Sequence, residues 1–311
     1  MKRIKTLAFS ASLLIATSVF AQQTGERMNI FKPSGAKETA KDFTPAPDKI
    51  ETSYGTLEFV GGAFPTEEST QLIFDQLDLQ RATQAYMDFM PAMSLYGIVR
   101  AQARDFGFTS SSDIAVEADF MQASENYLTG NNSTVYAFAS LDLGVDGPTV
   151  VEIPDADFKY LTDFGPTGPD LGKGGKYLFV PADYKGDIPS EGYFVIKSNS
   201  YRIWAMMRGF DVGNGDEAVK WFEERLKVYP LKTGPRKGNY INVSGMGINT
   251  LFPEDGSAFE MLNEIIQYEP SALFDQDELG KLASLGIEKG KPYKPDARML
   301  KIFDQAAKEG K

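Results

Sequence analysis

Amide, carboxylate, lysine and aromatic side chains are concentrated between residues 131 and 208, where the sequence also predicts strands. The residues that we expect to bind a ligand are Asn131, Asn132, Tyr136, Lys173, Lys176, Tyr177 and Arg202. Further aromatic and cationic side chains on neighbouring candidate strands are Tyr193, Tyr201, Trp204 and Arg208. If these strands lie side by side, the side chains form a polar cleft with aromatic walls, which suits a small molecule or a glycan.

Three aspartates in the same part of the chain are weak candidates for catalysis: Asp142, Asp163 and Asp170. Two carboxyl groups roughly 5 to 10 Å apart would suit glycoside hydrolysis. The alternative is that Asp142, Asp163 and the nearby Asp146 are turn and helix-capping residues, a use to which aspartate is equally suited. The sequence alone leaves both interpretations open.

The segment TDFGPTGPDLGKGGKYLFV, residues 162–180, places glycines and lysines ahead of an apolar strand, as phosphate-binding loops do. A Walker loop needs Gly, four residues, Gly-Lys and then Ser or Thr. Thr167 and Asp170 stand where the first glycine is required, and neither Lys173 nor Lys176 precedes Ser or Thr. A dinucleotide loop follows a strand and opens a helix, whereas these glycines precede a strand. We therefore predict no nucleotide loop, and the segment is a structural loop or an anion or substrate site.

The composition restricts the available chemistry, because the sequence contains no cysteine and no histidine. Thiolate nucleophiles, the Ser-His-Asp triad and the commonest zinc sites are therefore excluded. Any reaction must use Asp, Glu, Lys, Arg, Tyr, Ser or Thr, or a bound cofactor whose identity the sequence does not indicate. The net charge of −11 predicts no nucleic-acid partner, since nucleic-acid-binding surfaces are basic.

The first 21 residues predict a secretory signal peptide. Lys2, Arg3 and Lys5 precede the apolar run TLAFSASLLIATSVF, and Val19 and Ala21 occupy the small-residue positions before the expected cleavage site. The run is too short for a transmembrane helix, and no later segment is long enough to span a membrane. We expect cleavage near Ala21 and a periplasmic or secreted protein. Residues 22–51 are polar and weakly periodic, which predicts a flexible tether.

Hydrophobic periodicity predicts an α+β fold with N-terminal helices, a central mostly antiparallel β-sheet and C-terminal helices. Helical spacing runs from Thr66 to about Phe106, and Pro91 is expected to kink or split this helix. Apolar runs separated by Gly and Pro turns predict strands over 134–143, 149–153, 176–180, 193–198 and 201–210. Helices are expected over 217–228, after a Ser257–Glu260 capping box, at 279–285 and at 295–306.

Long motifs of this chain resemble the bacterial family known as domain of unknown function 1254 (DUF1254). They occur in the order GTLEFVGGAFPT, FDQLDLQRATQAYMDFMPAMSL, NNSTVYAFASLDLGVDGPTVVEIP, DFGPTGPDLGKGGKYLFVPADYKGDIPSEGYFVIKS and RIWAMMRGF, and the resemblance continues to the end. It implies an exported two-domain protein whose second part is a mostly β domain (DUF1214). The family name carries no activity, so it implies no catalytic residues.

The resemblance also implies a domain organisation. Residues 52–235 are expected to form the α+β core, and residues 236–311 a helical continuation leading to a C-terminal domain that is absent here. Between Pro154 and Tyr160 the family usually has a longer aromatic segment containing Trp, so a site wall built from that segment is not expected.

These observations predict an exported cell-envelope protein that binds a small molecule or glycan at the loops and the sheet. One alternative is a histidine-independent carboxylate hydrolase of the glycosidase type. Another is a scaffold half that requires a partner, either the missing second domain or another copy of the chain.

Overall fold

The computed structural model describes residues 47–61, 63–127, 130–153, 168–209 and 215–311. The predicted signal peptide, most of the predicted tether and the candidate Asp163 lie outside these ranges. Within them the chain forms six α-helices and eleven β-strands, and the predicted α+β class is confirmed. None of the helices in these ranges is long and apolar enough to cross a membrane.

The chain begins with a three-stranded antiparallel meander and one long helix. The strands are β1 (Lys49–Thr52), β2 (Gly55–Val60) and β3 (Phe64–Pro65), and the helix is α1 (Glu67–Asp105). Thr66 caps α1 by accepting a hydrogen bond from the amide of Ser69 at 3.2 Å. The predicted split at Pro91 was wrong, because the helix is continuous. Pro91 removes one backbone hydrogen bond, to the carbonyl of Met87, and Met87 lies on the exposed side of α1.

Eight further strands form two four-stranded sheets. The elements in chain order are β4 (Asp113–Glu117), β5 (Val135–Asp142), α2 (Leu143–Asp146), β6 (Thr149–Ile153), β7 (Gly175–Pro181), β8 (Phe194–Ser198), β9 (Arg202–Gly209), α3 (Asp216–Arg225), β10 (Lys227–Pro230) and β11 (Asn239–Asn242). The strand orders are β11-β4-β5-β9 and β10-β6-β7-β8. All pairs are antiparallel except β11 with β4 and β7 with β8, so the mostly antiparallel pairing is confirmed.

The chain ends in a helical layer that packs on α1. Its helices are α4 (Ala258–Tyr268), α5 (Gln276–Ser284) and α6 (Ala297–Gly310). Tyr86 and Phe89 of α1 join Phe259 and Phe303 in its core, where the last two rings stack at 4.1 Å. This layer and the β11-β4-β5-β9 sheet therefore share α1 as a common support.

The alternation along β5 explains how the sheet joins two cores. Val135 and Ala137 belong to the core shared with the β10-β6-β7-β8 sheet. Tyr136 and Phe138 belong to a second core, which includes Ala101 of α1. Because successive side chains of a strand point to opposite faces, the even-numbered side chains of β5 lie on the face that meets α1.

Two local predictions were wrong. The helix expected over 217–228 ends at Arg225, and the next residues form β10, whose burial between strand and core overrides helical spacing. Ser257 makes no capping hydrogen bond, since its backbone is already helical and its hydroxyl donates to Asp255 at 2.6 Å. A capping box is present instead at Asp275 and Glu278, at the start of α5.

Candidate functional site

The face of the β11-β4-β5-β9 sheet that meets α1 carries many of the residues predicted to form a site. The antiparallel register of β5 and β9 pairs their side chains on this face as Tyr136 with Arg208, Phe138 with Met206, Ser140 with Trp204 and Asp142 with Arg202. From α1, Gln102 accepts a hydrogen bond from Ser140 across the layer boundary. The face therefore has two polar ends, near Asp142 and near Tyr136, joined by an aromatic middle.

At the Asp142 end, the guanidinium of Arg202 lies between two tyrosine rings. Its central carbon is 3.7 Å from the ring centre of Tyr268 and 4.7 Å from that of Tyr96. The nearest carboxylate is Asp142, whose Oδ2 is 3.9 Å from Nε of Arg202, beyond hydrogen-bonding distance. Nη1 is enclosed without a hydrogen-bond partner among the described residues.

Asp142 is occupied by local structure. It caps the short helix α2 by accepting from the amides of Gly144 at 3.1 Å and Val145 at 3.3 Å. It also accepts a hydrogen bond from the hydroxyl of Tyr268. Burial is the main cause that raises the pKa of Tyr268 above its usual range, and this hydrogen bond is the second cause. Asp142 thus holds the ring that covers Arg202.

Glu269 connects the end of α4 to the beginning of β9. Its buried carboxylate accepts from the amides of Tyr201 at 2.7 Å and Arg202 at 3.3 Å, and from the hydroxyl of Ser200 at 3.2 Å. Lys289 donates to the carbonyl of Glu269 at 2.5 Å, at the negative end of α4. These contacts fix the backbone from which Arg202 projects.

A cavity of about 350 Å³ opens beside Arg202, between α1, α4 and the segment before α5. Its apolar walls include Phe89, Ala92, Leu95, Val99, Ile265 and Leu273. Pro91, which was expected to kink or split α1, also lines it. Arg202 is the one cationic side chain among the described residues that line this cavity.

The opposite end of the face is more closed. Asn131 donates to the hydroxyl of Tyr136 at 2.6 Å, and the guanidinium carbon of Arg208 lies 5.5 Å from the centre of the Tyr136 ring. Towards the middle, Phe138 stacks with Tyr127 at 5.0 Å and with Trp204 at 5.8 Å. Asn131 and Tyr136 are therefore brought together, but within a packed cluster.

Glu117, at the end of β4, is fully buried in the same face, and neither of its carboxylate oxygens has a hydrogen-bond partner among the described residues. Its neighbour Glu125 is also buried and accepts from the amides of Gln122 at 2.9 Å and Gly245 at 2.8 Å. Burial first, and then the charge of Glu125, raise the pKa of Glu117 to about 8. Burial and the same two carboxyl groups raise the pKa of Tyr127.

The glycine-rich loop has a structural explanation in its described part. Asp170 is buried and accepts from the hydroxyl of Tyr177 at 2.5 Å and the amide of Gly174 at 3.0 Å. Lys173 is exposed, and Lys176 is half-buried opposite Glu152 in the β6–β7 ladder. Asn132 is exposed, and Asp163 lies outside the described residues. The structure thus places Asp142 beside Arg202, while Asp170 and Tyr177 bind each other.

The sequence interpretation missed Tyr96, Tyr268 and Glu269, which complete the surroundings of Arg202. Each lies within or next to a helix whose apolar spacing indicated core packing. Each of the three carries a polar group on or beside an apolar helical stripe. Because a buried polar group requires a hydrogen-bond partner, this placement could have indicated a polar site. No group of three or more Asp or Glu side chains in the described part of the chain is arranged to hold a metal ion.

Comparison with known proteins supports the family resemblance without adding an activity. The model of the family "Protein of unknown function (DUF1254)" matches residues 113–230, from β4 to β10. None of the curated proteins compared with the chain is similar to it. Arg202 and Asp142 lie inside the matched region, and Tyr96 and Glu269 lie outside it.

A solved structure shows the same kind of fold. The VPA0106 protein from Vibrio parahaemolyticus is similar with a TM-score of 0.54 and 19% sequence identity over 75% of this chain. The match spans 57% of the Vibrio chain. At this identity the likeness concerns the fold alone.

Proposed function

We propose that this protein binds a small, partly apolar molecule in the cavity between α1, α4 and the start of β9. The observation that carries the proposal is the convergence of apolar walls from separate elements on one fixed cation, Arg202. Ligand sites are typically cavities of about 300–1,000 Å³ with mostly apolar walls and a few placed polar groups. A small molecule fits these walls better than a glycan, which would leave its hydroxyl groups without partners.

The hydrolase alternative receives no comparable support from the described residues. The oxygens of Asp142 accept hydrogen bonds from helix α2 and Tyr268, and Asp170 is buried against Tyr177. We therefore give binding, without a chemical step, as the function that the geometry favours.

The cavity can be filled by one substitution. Ala92→Trp would place an indole into the space that the small side chain leaves open, whereas Ala103→Trp adds the same group to the exposed side of α1. Calorimetric titration with octanoate and octan-1-ol should give heat with the wild type and the control. The Ala92→Trp variant should bind at least about tenfold more weakly, because the apolar contact area is lost. Absence of binding to the wild type by both probes would reject the cavity as a ligand site.

We also propose that the protein is exported and carries a further domain in its natural form. The cationic start, the apolar run and the small residues before position 22 support export, and the family resemblance supports the further domain. The intact mass of the protein purified from its source cells tests both. A mass equal to Gln22–Lys311 would support export alone, whereas retention of Met1 would reject cleavage.

A further inference from the structure

The guanidinium of Arg202 has an unused hydrogen-bonding edge, and we propose that this edge receives a carboxylate. The cavity would then take a small monocarboxylate with an apolar body. This inference rests on the proposed ligand cavity and adds the chemical class of the ligand.

Arg202 donates no side-chain hydrogen bond to any described residue, although an arginine presents five N–H donors. The half-buried Arg298, by contrast, donates to Asp75 and to Asp78 at 2.5 Å each. The nearest carboxylate, Asp142 at 3.9 Å, lies beyond hydrogen-bonding distance, so the N–H donors of Arg202 can accommodate an acceptor from outside the chain.

Two tyrosine rings restrict the position of the guanidinium. Its central carbon lies over the rings of Tyr96 and Tyr268, and the Arg202 side chain is 20% exposed. A guanidinium whose plane is fixed offers two parallel N–H donors in the spacing of a carboxylate. An aromatic clamp therefore favours a planar, forked acceptor over a single hydroxyl group.

The charges around Arg202 permit an incoming anion. Asp142 and Glu269 are engaged by hydroxyl and amide donors, and Lys289 donates to the main-chain carbonyl of Glu269. Farther along the cavity, Asp88 is paired with Lys281 at 2.5 Å. Three carboxyl groups line the cavity, those of Asp88, Glu269 and Glu278, so the carboxylate of a ligand would be held beside Arg202, the one cationic side chain among the described lining residues.

The apolar body of the ligand has a defined place. Leu95, Ile265 and Leu273 wall the cavity beside Arg202, and Leu95 and Leu273 are more than a third exposed. A bound chain would cover these two side chains, and removal of their surface from water would add to affinity. The carboxylate therefore supplies orientation, and the chain supplies much of the binding free energy.

The test is a calorimetric comparison of octanoate, octan-1-ol and octylamine at neutral pH. In the wild type, octanoate should bind at least about tenfold more tightly than octan-1-ol, as expected for a charge-assisted pair of hydrogen bonds, and octylamine should bind most weakly. In Arg202→Gln the preference for octanoate over octan-1-ol should disappear. Arg225→Gln is the matched control, because Arg225 stacks on Trp221 at 3.6 Å and is not a cavity residue.

The outcomes separate this inference from the proposed function. Equal binding of octanoate and octan-1-ol to the wild type would overturn the carboxylate and leave the cavity standing. If neither binds, both are overturned. If Arg202→Gln fails to fold, Arg202→Lys decides, because lysine keeps the charge without the fork. Octanoate should then bind several-fold more weakly with octan-1-ol unchanged, and an unchanged octanoate affinity would overturn the inference.

Discussion

Arg202 and Glu117 lie on the same face of one sheet. Each has buried side-chain atoms without a hydrogen-bond partner among the described residues, but the surroundings of the two side chains differ. Arg202 is held between two rings and lines an open cavity of about 350 Å³. Glu117 is fully buried beside another carboxyl group, Glu125. The first site is accessible from outside, whereas the second is sealed by the packing of β4 and its neighbours.

The two side chains differ in how their charge can respond. A guanidinium cannot lose its proton in a protein, so Arg202 stays charged, with Asp142 at 3.9 Å and with N–H donors that have no acceptor among the described residues. A carboxyl group can take up a proton, and the raised pKa of Glu117, about 8, keeps it neutral at lower pH. We therefore assign ligand binding to the Arg202 region and pH-dependent stability to the Glu117 region.

The greatest loss of stability is expected from a substitution of Glu269, which anchors the backbone at Arg202. Glu269→Ala would leave the amides of Tyr201 and Arg202 buried without their acceptor, which should lower the free energy of unfolding by about 3 kcal/mol or more. It should also weaken octanoate binding, because the start of β9 loses its anchor. Urea denaturation gives the stability. Asp304→Ala, at a half-exposed pair with Lys308 on α6, should lower the free energy of unfolding far less. Equal effects of the two variants would contradict the assigned role.

The buried carboxyl group of Glu117 should make the free energy of unfolding depend on pH. The folded pKa of about 8 exceeds the ordinary value of 4.5, so this group favours the folded state at low pH and destabilises it progressively as pH rises from about 4.5 to about 8. Glu117→Gln should therefore be more stable than the wild type by on the order of 3 kcal/mol at pH 7, since each pH step above the unfolded pKa costs about 1.4 kcal/mol.

Denaturation curves at several pH values test this prediction. The Glu117→Gln variant should match the wild type near pH 4 and exceed it increasingly towards pH 8. Glu260→Gln, at an exposed position of α4, is the control and should follow the wild type throughout. Parallel pH profiles for Glu117→Gln and the wild type would show that Glu117 has a partner or solvent access in solution.

Much of the fold could be predicted because its elements have strong local signals. The alternating run of β5 and the apolar stripes of α4 and α6 were recognisable from spacing alone. The strands β4 and β11 were missed, since β11 is short and pairs in parallel with a strand far away in sequence. The continuity of α1 through Pro91 was missed because it depends on packing against α4 and α6, which no local pattern reports.

The candidate site was predictable only in part, for a related reason. Arg202 and Asp142 lie opposite each other on paired strands, so a strand prediction brings them close. Tyr96 and Tyr268 reach Arg202 from two helices that are distant in the chain, and their rings were indistinguishable from core residues. Asp170 and Tyr177 resembled site residues because they are polar and lie beside glycines, but they bind each other.

A modest change in affinity is expected from Asp142, the carboxylate nearest to Arg202. Asp142→Asn removes a negative charge whose oxygen lies 3.9 Å from Nε of Arg202, while asparagine remains a good helix cap. Octanoate should bind about threefold more tightly, because repulsion of its carboxylate decreases, and stability should change by less than about 1 kcal/mol. Asp146→Asn, whose carboxylate accepts from Ser111 at 2.5 Å, is the control. A weaker octanoate complex of Asp142→Asn would indicate that Asp142 positions the cation instead of competing for it.

Nuclear magnetic resonance can show directly whether octanoate binds in the apolar cavity at Arg202. Methyl-labelled protein with octanoate should show nuclear Overhauser contacts from the octanoate chain to Leu95, Ile265 and Leu273, the walls beside Arg202. It should show none to Leu72 or Ile302, which line a separate polar cavity near Arg298. Contacts to Leu72 and Ile302, or contacts that persist undiminished in Ala92→Trp, would contradict the claim that the apolar cavity at Arg202 is the ligand site.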